Sequence, residues 1–178
     1  SALLLTASFA VAQQYTITFD EGPNSAPTMP VVNNNAKGWS QTIYPADKMS
    51  FPVGGTITKI AYQCTQVDPA METRDVTIYM VNTSKSVAES TSDWIAVTSS
   101  DIVYHNASLT QPTATGWFEI TLDTPFEYTG GGLAIIMSSE GTAAHNNQRY
   151  GINNSTTGFA TGASLYKTGT STLPATTG

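Results

Sequence analysis

The sequence predicts an all-β protein, an antiparallel two-sheet β-sandwich of jelly-roll type, and three observations carry that expectation. Phe118, Ile120 and Leu122 alternate with Glu119, Thr121 and Asp123, the period of two that marks a strand with one buried and one wet face. Leu133 to Met137 is apolar at every position, as in a strand covered on both sides. Similar short segments recur along the chain, separated by Gly, Pro, Asn and Asp and with almost no helical periodicity. A closed barrel is the architectural alternative.

The elements follow in order. Leu3, Leu4 and Leu5 open an apolar run that ends in Ala10-Val11-Ala12, the pattern of a secretory h-region and small-residue cleavage site, so residues 1–12 read as a signal peptide clipped at its start. The run is shorter than the roughly 20 residues a membrane-spanning helix needs. Residues 13–167 then form the sandwich domain. Tyr15 to Phe19 alternates as a first strand, and GPNSAPTMP breaks it with a proline-rich loop. Gln41 to Tyr44 is a short strand stopped by Pro45, and Ala46 to Met49 forms a single helical turn. Thr56 to Gln63 follows Gly54-Gly55 with Thr58, Ile60 and Tyr62 on one face, and Val76, Ile78 and Met80 share a face of the next strand. Ser84 to Ser92 is polar and turn-like. Trp94–Val97 and Ile102–His105 read as two further strands, then the pair around residues 116–139, then Arg149–Ile152 and Ser164–Lys167. The inner faces draw on Phe19, Ile60, Tyr62, Val76, Ile78, Phe118, Ile120, Leu133 and Ile135. From Thr168 to Gly178 the chain is TGTSTLPATTG, the composition of a linker or tail with nothing to bury.

Composition narrows the partners. Charged residues make up 11% of the chain, and seven basic residues against thirteen acids leave a net charge of -6. Scattered cations in that number cannot build the positive surface that phosphate backbones require, so nucleic acid is not an expected partner. Cys64 stands alone and forms no internal disulfide; a buried, inert thiol is the expectation.

Catalytic chemistry finds little support. The chain holds only His105 and His145, lacks a G-x-S-x-G elbow and lacks H-E-x-x-H, which argues against a serine hydrolase and a catalytic zinc site. Glu119, Asp123 and Glu127 lie near one another, and a carboxylate-dependent glycoside hydrolase would need two such groups facing across a cleft. Alternation instead places Glu119 and Asp123 on one solvated face. No cofactor is expected, but a structural Ca²⁺ is open, with Asp20 and Glu21 after the first strand and Asp68, Glu72 and Asp75 around a loop as candidate carboxylate ligands.

Binding chemistry has better candidates. A pyranose is recognised by a flat aromatic ring under its apolar face and by amides and acids around its hydroxyls. The alternation that buries Phe118 sends Trp117 outward beside Glu119 and Thr121, a candidate stacking platform. Trp39, near Asn33-Asn34-Asn35, and Trp94, after a polar turn, are further candidates, with core packing as the competing fate of each. The run His145-Asn146-Asn147-Gln148-Arg149-Tyr150 is the densest group of planar polar side chains, and Asn146, Asn147, Arg149 and Tyr150 are candidate ligand-binding residues on a surface loop. The competing reading is a hydrated loop whose Asn residues satisfy local turns.

The blocks QTIYPADKM, GTITKIAYQ, TRDVTIYMVNTSKS, SDWIAV and GWFEITLDTPFEYTGGGLAIIM together resemble a recurrent β-sandwich module of secreted and surface proteins from Bacteroidota, often placed next to fibronectin-type or sorting domains. The resemblance spans roughly residues 38–140 and implies a non-catalytic, adhesive or carbohydrate-binding role. It transfers no set of functional residues, because the matching blocks are strands and corners that the fold needs whatever it binds. The expected protein is therefore a secreted or cell-surface module whose partner is a glycan or a surface protein. Self-assembly by amino-terminal strand addition, as in a filament or surface-layer subunit, is the structural alternative.

Overall fold

Among the residues that the computed structural model describes, 24–152 and 163–174, nine strands form. In chain order they are β1 (Asn24–Ala26), β2 (Lys37–Tyr44), β3 (Thr56–Gln66), β4 (Arg74–Thr83), β5 (Ile102–Leu109), β6 (Gly116–Glu127), β7 (Gly132–Glu140), β8 (Arg149–Ile152) and β9 (Ser164–Thr168). The expected signal segment, the strand Tyr15–Phe19 with its core residue Phe19, and Asp20 and Glu21 lie outside the described residues.

The strands build two antiparallel sheets, one of four strands in the order β1-β8-β3-β6 and one of five in the order β5-β4-β7-β2-β9. The first strand pairs with the eighth, the second with the seventh, the third with the sixth and the fourth with the fifth. That nesting is the jelly-roll winding, with β9 added beyond β2. It also sets where the loops fall. The segments 67–73, 110–115 and 141–148, with the approach to β2 at 31–36, gather at one end of the sandwich.

The main core lies between the sheets. Val76, Ile78 and Met80 of β4, Leu133, Ile135 and Met137 of β7, Ile120 and Leu122 of β6, and Tyr150 of β8 are buried there, with Ile60, Tyr62 and Phe118 packed against them. Every core residue expected from periodicity that falls among the described residues belongs to this cluster. Each fully buried aliphatic side chain of this size contributes roughly 1.5–3 kcal/mol. Val31, directly after the proline-rich segment and before β2, joins them fully buried.

A second cluster covers the outer side of the five-stranded sheet. Trp39 and Ile43 of β2 and Ala134 and Ile136 of β7 meet Trp94, with Ile95, Val97 and Leu173 packed around them. This explains the unbroken apolar run of β7: Leu133, Ile135 and Met137 face one core, Ala134 and Ile136 the other. Two expectations change as a result. Trp94–Val97 is not a strand but an irregular segment lying over the sheet, held by Ile95 N–H donating to Gln41 Oε1 at 2.7 Å and by Gln41 Nε2 donating to the Asp93 carbonyl at 3.2 Å. Its apolar residues answer to this covering role and not to pairing. The start of the tail is also not free of burial, since Leu173 packs on the same cluster and Lys37 Nζ donates to Ser171 Oγ at 3.0 Å.

Local irregularities have local causes. β6 pairs with β3 in two stretches, Phe126 with Ile57 and Thr121 with Lys59, and the break between them contains Pro125, which has no N–H to give the ladder. Gly130 and Gly131 turn the chain from β6 into β7 with φ of 103° and 79°, a region open to glycine at little cost.

Candidate functional site

Two surfaces at the same end of the sandwich concentrate the polar chemistry: the outer face of the four-stranded sheet and the adjoining loop cluster. On the sheet, inward Phe118 and Ile120 force Trp117 and Glu119 outward, and the indole of Trp117 is 55% exposed. Register places Gln63 of β3 directly opposite Trp117 and Ala61 opposite Glu119. Lys59 Nζ contacts Glu119 Oε2 at 2.8 Å, a solvent-screened ion pair bordering the ring.

One strand further on lies β8. Tyr150 points into the core, tilted against Phe118 with ring centroids 6.4 Å apart, and its hydroxyl donates to Gln111 Oε1 at 2.8 Å. Burial pushes its phenol well above the ordinary range. Alternation therefore puts Arg149 on the outer face, where its Nε donates to the Asn146 carbonyl at 3.1 Å and Thr65 Oγ1 donates to the Arg149 carbonyl at 3.3 Å. Asn146 and Asn147 are exposed beside it. Trp117, Gln63, Thr65 and Arg149 thus run across three neighbouring strands.

The other sequence candidates go elsewhere. Trp94 is 3% and Trp39 5% exposed, both in the cluster on the opposite sheet, where Trp39 stacks on Tyr79 with centroids 5.8 Å apart. Core packing, not stacking on a ligand, accounts for both rings. Tyr150, fully buried, offers no ring face to the surface.

In the loop cluster, Arg74 is buried at the start of β4. Its Nε donates to Ser139 Oγ at 2.6 Å, and Nη2 donates to the carbonyls of Asn35 and Ala36 at 2.9 and 2.8 Å. Glu72 accepts from the Thr142 hydroxyl and from the N–H groups of Thr142 and Ala143 at 2.5 and 3.0 Å. These bonds, led by the Thr142 hydroxyl, hold its carboxyl below the usual value against the opposing effect of desolvation. His145 sits between two acids, Nδ1 3.7 Å from Asp68 Oδ2 and Nε2 3.8 Å from Glu72 Oε1. Asp68 and Glu72 therefore approach opposite ends of one imidazole instead of converging on a shared point. Asp75 is separate again, 3.0 Å from His105 Nε2. Among the described residues no group of three or more His, Cys, Asp or Glu side chains is arranged to hold an ion.

A groove of about 240 Å³ opens beside this cluster, lined by Val67, Asp68, Met71, Glu72, Thr110 and Gln111 among others. Gln148 bridges the two loops that line it: its Oε1 accepts the Asp68 N–H at 2.9 Å and its Nε2 donates to the Pro112 carbonyl at 3.2 Å. Cys64 is buried below, its Sγ 3.4 Å from the Gln66 carbonyl, and desolvation pushes the thiol up. Of the acids considered for hydrolysis, Glu119 pairs with Lys59, and Asp123 accepts the backbone N–H of His105 in β5 at 2.9 Å.

Gln63, Lys59 and Thr65 escaped the sequence reading as site residues. Parity along β3 places Lys59, Ala61 and Gln63 on one face, but only the β3–β6 register sets Gln63 against Trp117. Comparison with protein-family models, with curated proteins and with solved structures finds no match for this chain.

Proposed function

We propose that the chain is a non-catalytic, glycan-directed binding and adhesion module of an exported bacterial surface protein, and that it binds on the outer face of its four-stranded sheet. The observation that carries this reading is the exposure of Trp117 on the edge strand β6, in the stretch that pairs continuously with β3. A tryptophan left half open on a rigid sheet keeps an apolar ring in water, while the other two tryptophans of the chain are buried. Gln63 supplies an amide beside that ring, and Glu119 and Lys59 supply an acceptor and a donor for sugar hydroxyls.

The expected affinity is modest. Covering an exposed indole face yields on the order of 1–2 kcal/mol at about 25 cal/mol per Å². An open sheet face adds a few solvent-exposed hydrogen bonds, so a short saccharide should bind with Kd of about 0.1–1 mM. Adhesion would then depend on several copies acting together. A glycan microarray, read with the wild-type chain and with Trp117→Ala presented multivalently, tests the reading. It predicts a defined set of wild-type signals that vanish in the variant. Signals that survive Trp117→Ala undiminished, or an array without signals, would count against it.

A further inference from the structure

We infer that this platform selects saccharides bearing a carboxylate, and that Arg149 is the group that receives it. The inference rests on the glycan reading of Trp117 and deepens it. Its basis is the state of Arg149 among the cations of an acidic chain. Lys37 pairs with Glu140 at 3.2 Å, Lys59 with Glu119 at 2.8 Å, Lys85 with Asp93 at 2.5 Å, and Arg74 is sealed beneath the loops near Glu72. Lys48 lies 4.0 Å from its neighbour Asp47. Among the described residues, Arg149 and Lys167 alone make no ion pair, and Lys167 belongs to β9 of the other sheet. Thirteen acids compete for seven cations, so a partly exposed cation on a sheet face without a carboxylate partner is conspicuous.

The local geometry suits an anion. The Asn146 carbonyl accepts from Arg149 Nε, which leaves the two Nη groups available as a pair of donors. A carboxylate accepts such a pair in parallel, an arrangement stronger and more directional than a single contact. Arg149 stands two inter-strand spacings across and two to three residues along the sheet from Trp117, since Trp117 lies opposite Gln63 and Arg149 opposite Gln66, which makes roughly 12–14 Å. That is about the reach of two to three linked pyranose rings, one stacked on the indole and the last offering its acid to the fork, with Gln63 and Thr65 between them. The net charge of -6 repels densely charged polymers, which points to a sparse acid on an otherwise neutral saccharide.

Calorimetric titration of the full chain tests this with short oligosaccharides that each carry one uronic acid, paired with counterparts whose carboxyl has been reduced to the alcohol. Wild type should bind the best acidic member at least tenfold more tightly than its reduced counterpart, and the preference should shrink as salt rises. Arg149→Gln should erase the preference, bringing the acidic member to the same affinity as its reduced counterpart. Trp117→Ala should weaken both forms at least tenfold. Because the readout is an acid-to-neutral ratio within one variant, a general loosening of the loop would not imitate the result. Equal wild-type binding of both forms, or a preference that persists in Arg149→Gln, overturns the role of Arg149 while the glycan reading stands. Failure of every member to bind wild type overturns both.

Discussion

Glu72 Oε1 lies 3.9 Å from Nη1 of the buried Arg74, and the two side chains together hold the turn that leaves β7. Arg74 gathers the carbonyls of Asn35, Ala36 and Ala143, while Glu72 takes the N–H groups of the same turn. Replacing the carboxylate by an amide keeps one oxygen for the two N–H groups but turns the acceptor of the Thr142 hydroxyl into an NH2 donor, and it leaves Arg74 without its nearby counter-charge. Glu72→Gln should therefore cost about 1–3 kcal/mol in urea denaturation at neutral pH.

The same carboxylate makes a prediction in acid. Its folded-state value lies below the ordinary glutamate value of 4.5, so its contribution is present above that pH and is lost as pH falls through the lowered value. Stability measured from pH 6 downward should fall less steeply in Glu72→Gln than in wild type. Matching acid limbs would show that the bonds to Thr142 and Ala143 carry no such linkage.

Alkali should act through the tyrosines packed in or against the core. Burial raises Tyr44 from 10.0 to about 12, and the phenols of Tyr62 and Tyr150 move in the same direction. A raised phenol stays protonated in the fold after the unfolded chain has ionised, so stability is complete below pH 10 and declines above it. Tyr44 alone accounts for a loss of roughly 2–3 kcal/mol by pH 12. Tyr44→Phe should flatten that decline in thermal melts between pH 9.5 and 11.5, whereas an unchanged slope would contradict the assignment.

The tryptophans should separate cleanly. Trp94→Ala empties the centre of the cluster over the five-stranded sheet and should cost about 3–5 kcal/mol, since a large aromatic void there cannot fully collapse. Trp117→Ala, on the open face, should stay within about 0.5 kcal/mol of wild type. Equilibrium denaturation of the two variants side by side checks both values.

Gly38 tests how tightly the approach loop closes on β2. A Cβ at this position would meet Val32 Cγ1 at 2.5 Å and the Lys167 carbonyl at 2.7 Å. Gly38→Ala should lower stability by about 1–3 kcal/mol, because the backbone oxygen cannot step aside cheaply. A neutral substitution would mean that this loop yields freely.

Much of the fold was legible because a period of two reports directly which face of a strand is apolar. Phe118, Ile120 and Leu122, and the doubly covered run Leu133–Met137, sit where alternation and its absence place them. The misreading of Trp94–Val97 shows the limit: an apolar segment that lies across a sheet has the composition of a strand within it. Val31 and Val32 were hidden directly after a proline-rich segment for a related reason, since turn residues mark a break in pairing but say nothing about burial. At the surface, parity exposed Trp117, but its neighbours Gln63 and Arg149 come from strands distant in sequence. Jelly-roll nesting brings them together, and no local pattern encodes that pairing.

The most direct test of the central claim follows the three indole N–H resonances by NMR during titration with a saccharide selected on the array. The Trp117 signal should shift progressively while those of Trp39 and Trp94 stay fixed, with backbone changes confined to β6, β3 and the start of β8. Movement of the buried indoles with a stationary Trp117 would place binding elsewhere and contradict the account.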